Sequence, residues 1–289
     1  MVRQKRDARV PEFLPNGRIR LAGPGLHTGE PCSVTLGVAA PGHGWRLAGA
    51  PVSGLPVVDT RLATTLETPR GPVMTVEHLF AALAGLGVAD VDLEIDGPEV
   101  PALDGSAAPF CAAVRALGLR RPGLPVRPLA GVVSVPLPDA GGPPGRLEAV
   151  PSTTFALEVR AHFSGLGAGG FRGTLADFEA TLAPARTFGF LRDVDALRAS
   201  GRALGATLET CLAFGDDGRP LNPGGLRFPD EPFRHKALDL LGDLGRLGFL
   251  PAAVIRAEGT GHRAHAELAA RLAVEAGREP ERGARAARS

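Results

Sequence analysis

Short runs of alternating apolar and polar residues open the chain. Residues 18–22 and 32–38 are apolar at every second position, and 62–66 form a third short run, each bounded by Gly or Pro, which predicts β-strands. The period then lengthens. Leu79, Phe80, Leu83 and Leu86 recur at helical spacing behind Thr75, read as the N-cap. Residues 91–95 alternate again, 106–117 read as a second helix, and the RRPGLPVRP stretch at 120–128 reads as a linker. The second half repeats the rhythm, with strands at 131–135, 146–150 and 155–163 and a helix at 175–182. An extra stretch at 189–222 follows, then a helix at 231–248, a strand at 252–257 and a last helix at 265–276. Strands clustered apart from helices predict an α+β fold of two similar domains, each a sheet with two main helices. The expected divisions are a leader at 1–17, domain I at 18–122, domain II at 123–275 and a disordered tail at 276–289.

A length of 289 residues is in keeping with about two domains. Lys and Arg together number 32 against 31 acidic residues, a net charge of +1, which argues against nucleic acid and for a small-molecule partner. The basic total is lopsided: 30 Arg and two Lys, at Lys5 and Lys236. A lysine that survives such a bias inside the folded body marks a position to inspect. Three cysteines without paired spacing predict a reducing compartment. The N-terminus lacks an apolar core for a secretory signal, and no apolar run approaches the roughly 20 residues needed to span a bilayer. The expectation is a cytoplasmic protein, a monomer, with at most peripheral membrane association.

In RHKALDLLGDLGRLG, His235, Asp239 and Asp243 lie four residues apart on one helical stripe, with Leu240, Leu241, Leu244 and Leu247 on the other. A His and a carboxylate one turn apart can share a metal ion or can be an ordinary charge pair on a solvated face. In TVEHLF, Glu77 sits beside His78, the pairing of base and ligand that a metal-dependent hydrolase needs, or a first-turn Glu favoured by the helix dipole. His262 follows a Gly-rich turn in AEGTGHRAH and reads as a loop residue, with His265 as a cap or surface residue. ARTFGFLRD offers the Thr187 hydroxyl and the Phe188 ring, with Arg186 and Asp193 as a conceivable ion pair.

Together, GPGLHTGE, TVEHLFAALAGLGVADVDLEIDGPEVPALDGSAAPF, ARTFGFLRD, GLRFPDE and RHKALDLLGDLGRLG followed by GTGH resemble the UDP-3-O-acyl-N-acetylglucosamine deacetylase family from about residue 18 to 273. The resemblance implies helices packed together between two sheets, with the site at the domain junction. It implies a zinc enzyme that releases acetate from UDP-3-O-(3-hydroxyacyl)-N-acetylglucosamine, the committed step of lipid A biosynthesis. His78, His235 and Asp239 would hold one Zn2+ per chain, ferrous iron being the other cation to consider. Glu77 would be the general base and His262 the catalytic imidazolium, paired with Asp243. The Thr187 hydroxyl would stabilise the oxyanion, and Lys236 would meet the diphosphate or the charge developing near the metal. Phe163 would stack on the uracil. Phe188, Leu191 and the 189–222 stretch would form an apolar passage for the acyl chain. Ionised Glu77 and protonated His262 would give a bell-shaped pH–rate profile. His265 stands where the family usually carries Asn. Two other functions are carried forward: a zinc amidohydrolase acting on a different acetylated sugar or nucleotide sugar, and a non-catalytic binding protein that zinc stabilises.

Overall fold

The computed structural model describes residues 11–137 and 145–277. Two sheets carry the architecture. The first has six strands in the spatial order Glu12–Leu14, Arg18–Pro24, Pro31–Val38, Val91–Asp96, Trp45–Leu47 and Ala50–Pro51. All its pairings are antiparallel except Trp45–Leu47 with Val91–Asp96. Alternation sets its faces: Ile19 and Leu21 are buried, while Arg18 and Arg20 reach the outer-face carboxylates Glu94 and Asp96 at 3.0 and 3.7 Å. The second sheet has five strands, in the order Val133–Val135, Arg146–Pro151, Ala253–Glu258, Ala156–Phe163 and Gly167–Gly173. It too is antiparallel but for one pair, Ala156–Phe163 with Ala253–Glu258.

The helices are α1 (Glu77–Gly85), α2 (Ala108–Ala116), α3 (Phe178–Thr181), α4 (Val194–Ala199), α5 (Glu231–Gly245) and α6 (His262–Glu275). Helices α1 and α2 pack together in the first half, and α5 and α6 pack together against the second sheet. The central contact is α1 on α5. Gly242 makes that crossing possible, because a Cβ built there would overlap the carbonyl of Glu77, and Gly245 likewise meets Ala84 Cβ at 2.8 Å. The α+β class is what the strand and helix periods predict, and helices packed between two sheets are what the family resemblance implies. One apolar cluster runs through both halves, including Phe80 and Leu83 of α1 and Leu240, Leu241 and Leu244 of α5.

Several local expectations change. Strand Glu12–Leu14 lies inside the stretch read as leader, and the linker stretch contains Val126–Arg127, paired in parallel with Leu250–Pro251. Thr75 is not a cap. It adopts a φ of 60°, and its hydroxyl donates to Glu99 at 2.7 Å, so the helix starts after Val76. The last helix begins at His262 rather than His265, since extended Gly261 precedes it. Arg186 pairs with buried Glu231 at 2.7 Å rather than with Asp193. Most of the tail read at 276–289 lies outside the described residues. Among the described residues no helix is long and apolar enough to cross a membrane.

Candidate active site

The crossing of α1 and α5 brings sequence-distant polar groups together. His78 and His235 meet edge to face, ring centroids 4.9 Å apart, and their Nε2 atoms lie 3.7 and 3.2 Å from Asp239 Oδ1. All three side chains are buried. The polar stripe of α5 therefore faces the α1 crossing, which removes the reading of a solvated charge pair. The ligand atoms of this triad lie within 4.8 Å of one another.

Its hydrogen bonding fits a cation. The Ala185 carbonyl can only accept, so His235 Nδ1, 3.1 Å away, carries a proton, and Nε2 is the ring atom turned toward Asp239 Oδ1. Burial lowers the pKa of His78 despite the nearby Asp239 carboxylate, which favours a neutral ring there. Asp239 Oδ1 is buried without a hydrogen-bond partner, while Oδ2 accepts from Lys236 Nζ at 2.9 Å. Burial would raise the pKa of Asp239, but His235 and Lys236 outweigh it and hold the group well below the usual carboxylate range. An ionised oxygen with nothing to accept from, facing two imidazole nitrogens, is an open place for a divalent cation.

Glu77 and His262 flank this triad. Their ligand atoms and that of Asp239 also fall within 4.8 Å of one another. Burial pushes the Glu77 carboxyl up to about 8; His262 opposes this, and Asp243 and Asp239 add to it. Burial alone would lower the pKa of His262, but Asp243 and Glu77 raise it to about 9. Asp243 Oδ2 accepts from His262 Nδ1 at 2.8 Å, and Oδ1 accepts from Thr64 Oγ1 at 2.6 Å. The Thr64 backbone N–H also donates to Glu77 Oε2 at 3.1 Å, so one loop residue orients both carboxylates.

These groups open into a cavity of about 270 Å³. Glu77, His78, Thr187, His235, Lys236, Asp239 and His262 line it, with the rings of Phe163 and Phe188 on one side. Phe188 stands between Phe163, at 5.0 Å, and His235, at 6.3 Å between centroids. A larger cavity of about 780 Å³ lies over the hairpin near Arg160, His162 and Arg172. It holds none of the converging groups, so chemistry rather than size selects the smaller one. Asp243 sits behind His262. Leu191 does not line the cavity: it starts a 3-10 turn after Phe188–Phe190 and is 55% exposed.

Sequence reasoning gave no role to Thr64 and His27. His27 lines the cavity, and its buried Nδ1 has no partner. Its backbone N–H, like that of Thr28, donates to fully buried Glu99. His265 is not a surface residue; it is 1% exposed and also bound to Asp243. A His in GLHTG was a visible signal, whereas Thr64 offered none.

Comparison with known proteins accords with this geometry. The family model described as UDP-3-O-acyl N-acetylglycosamine deacetylase matches residues 16–274. The chain belongs to this deacetylase family. It is 40% identical over 260 residues to the UDP-3-O-acyl-N-acetylglucosamine deacetylase of Myxococcus xanthus (strain DK1622), covering 86% of this chain and 82% of that one. Identity to the protein of the same name from Thermosynechococcus vestitus is 38% over 267 residues, 89% of this chain and 92% of that one. The segment matching the deacetylase family contains every residue that lines the smaller cavity.

Proposed function

We propose that this chain is a zinc-dependent hydrolase that removes the N-acetyl group from UDP-3-O-(3-hydroxyacyl)-N-acetylglucosamine and releases acetate, the committed step of lipid A biosynthesis. The observation that carries the reading is the partnerless Asp239 Oδ1 facing two imidazoles, with a buried Glu on one side and a cationic His on the other. A divalent cation held by His78, His235 and Asp239 would supply a Lewis acid for the acetamide carbonyl and positive charge that favours ionised Glu77 and a more acidic water.

The chain's own residues complete the hydrolysis. Glu77 takes a proton from the water that attacks the carbonyl carbon, with its Oε2 oriented by the Thr64 N–H. The Thr187 hydroxyl and the His262 imidazolium face the oxygen where negative charge develops. As the C–N bond breaks, His262 gives a proton to the departing amine, leaving acetate and a free amino sugar. Lys236 holds Asp239 Oδ2 and meets the nucleotide's diphosphate, while Phe163 and Phe188 supply apolar walls for the uracil and the acyl chain. Cys32, Cys111 and Cys211 are free thiols, as the cytoplasm would keep them.

The test is acetate release from the UDP-3-O-acyl substrate by the native chain and by Glu77→Gln. Loss of general-base catalysis is expected to cost about 10²- to 10⁴-fold in kcat. The melting temperature should hold, because Gln copies the protonated carboxyl that burial favours. Comparable turnover of an N-acetyl sugar lacking both UDP and acyl chain would instead assign a different substrate. Undiminished turnover by Glu77→Gln would remove the base.

A further inference from the structure

His265 is a second buried imidazole at the site, with no place in the hydrolysis just described. It lies one turn beyond His262 on α6, the ring centroids 5.9 Å apart and inclined at 76°. Its Nδ1 is 2.8 Å from Asp243 Oδ2, the same oxygen that accepts from His262 Nδ1. Its Nε2 is 3.0 Å from Thr260 Oγ1, in the turn that leads into α6.

Ionised Asp243 can only accept, so the proton of His265 sits on Nδ1. Burial lowers the pKa of His265 although Asp243 opposes this, so the ring is neutral and Nε2 accepts from the Thr260 hydroxyl. The groups facing it are Asp243 and, farther off, Lys236 from α5, His262 from its own helix, and Thr260; Thr64 holds the other oxygen of Asp243. Asp243, His262 and His265 also have the spacing of a metal triad. The N–H protons that both imidazoles direct at Asp243 occupy the space a cation would need, so the cluster is a hydrogen-bonded one.

We propose that His265 is a positioning residue: anchored by Thr260, it fixes Asp243 Oδ2 in place and thereby sets the orientation of the His262 ring toward the substrate. With Thr64 on Oδ1 and His265 on Oδ2, the carboxylate cannot turn about its own axis, and His262 is offered one direction in which to donate. The inference rests on the deacetylation reading for its kinetic consequence. The hydrogen-bond geometry can be measured without substrate.

Two variants separate positioning from packing. His265→Leu fills the space but has no N–H, whereas His265→Asn keeps an N–H near the place of Nδ1. His265→Leu should lower kcat about 10-fold or more while KM stays within about twofold, and His265→Asn should recover most of the loss. Nitrogen-15 NMR of histidine-labelled protein should show His265 as the neutral Nδ1–H tautomer, with the His262 ring signals displaced in His265→Leu and restored in His265→Asn. Wild-type kcat in His265→Leu, or an equal loss in both variants, would overturn the proposal. Should His265→Leu fail to fold, the spectrum of the native chain decides, since a proton on His265 Nε2 would also overturn it. A native chain with the expected tautomer and no deacetylase turnover would sink the functional reading and leave the geometry standing.

Discussion

Lys236 binds one oxygen of Asp239 and leaves the other to the two imidazoles. An ammonium makes that single contact as a compact point charge, whereas a guanidinium fork tends to take both oxygens of a carboxylate. Lys236→Arg is therefore expected to weaken metal retention and turnover with little change in melting temperature, checked by metal content and kcat on the same sample. Wild-type values would return this lysine to accident. Glu77, His78, His235 and Asp239 stood out as candidates in the sequence because they are neighbours or i, i+4, a spacing that also suits an ordinary charge pair, and the family resemblance supplied their roles. Thr64 and His265 were not, because their roles arise from distances of 2.6 and 2.8 Å to Asp243, far away in sequence.

Helices α1 and α5 form the site only because they approach closely, and Gly242 controls the approach. A methyl group there would strike the Glu77 backbone and push α1 away, moving both Glu77 and His78. Gly242→Ala should destabilise the fold by about 1–3 kcal/mol despite the better helix propensity of Ala, and should lower activity further than that loss alone explains. Denaturant unfolding together with kcat for the folded fraction would show it. Helical periodicity located α1 and α5 to within a few residues, since both carry long apolar patterns. It failed at their edges and at α6. Thr75 looks like a cap, but buried Glu99 claims its hydroxyl, and Gly-Thr-Gly before His262 reads as a loop although the helix begins immediately after Gly261.

Over the whole molecule, the buried charges make stability depend on pH. His262 is raised from 6.5 to about 9, so its contribution is full below pH 6.5 and is lost as pH climbs to about 9. Glu77 is raised from 4.5 to about 8, so it too favours folding less as pH climbs to about 8. His27, His78 and His265, all lowered from 6.5 chiefly by burial, act in the opposite sense, but only below that pH. The melting temperature of the metal-free chain should fall between pH 6.5 and 9, and Glu77→Gln should flatten the part below pH 8. A flat native profile would contradict those shifts. At this scale the sequence's two strand-and-helix rhythms made the α+β class legible. They carried no information on which helix crosses which, because α1 and α5 are buried on nearly every side, apolar and polar stripes alike, so that no single face marks a partner.

The proposed hydrolysis depends on a cation held by His78, His235 and Asp239. Acetate release from the UDP-3-O-acyl substrate, followed as zinc is added back to the chelated chain, tests it directly. Turnover should rise in proportion to bound metal and reach its maximum at about one ion per chain, the single site that the triad offers. Full turnover by the chelated chain, with no response to added metal, would contradict the account.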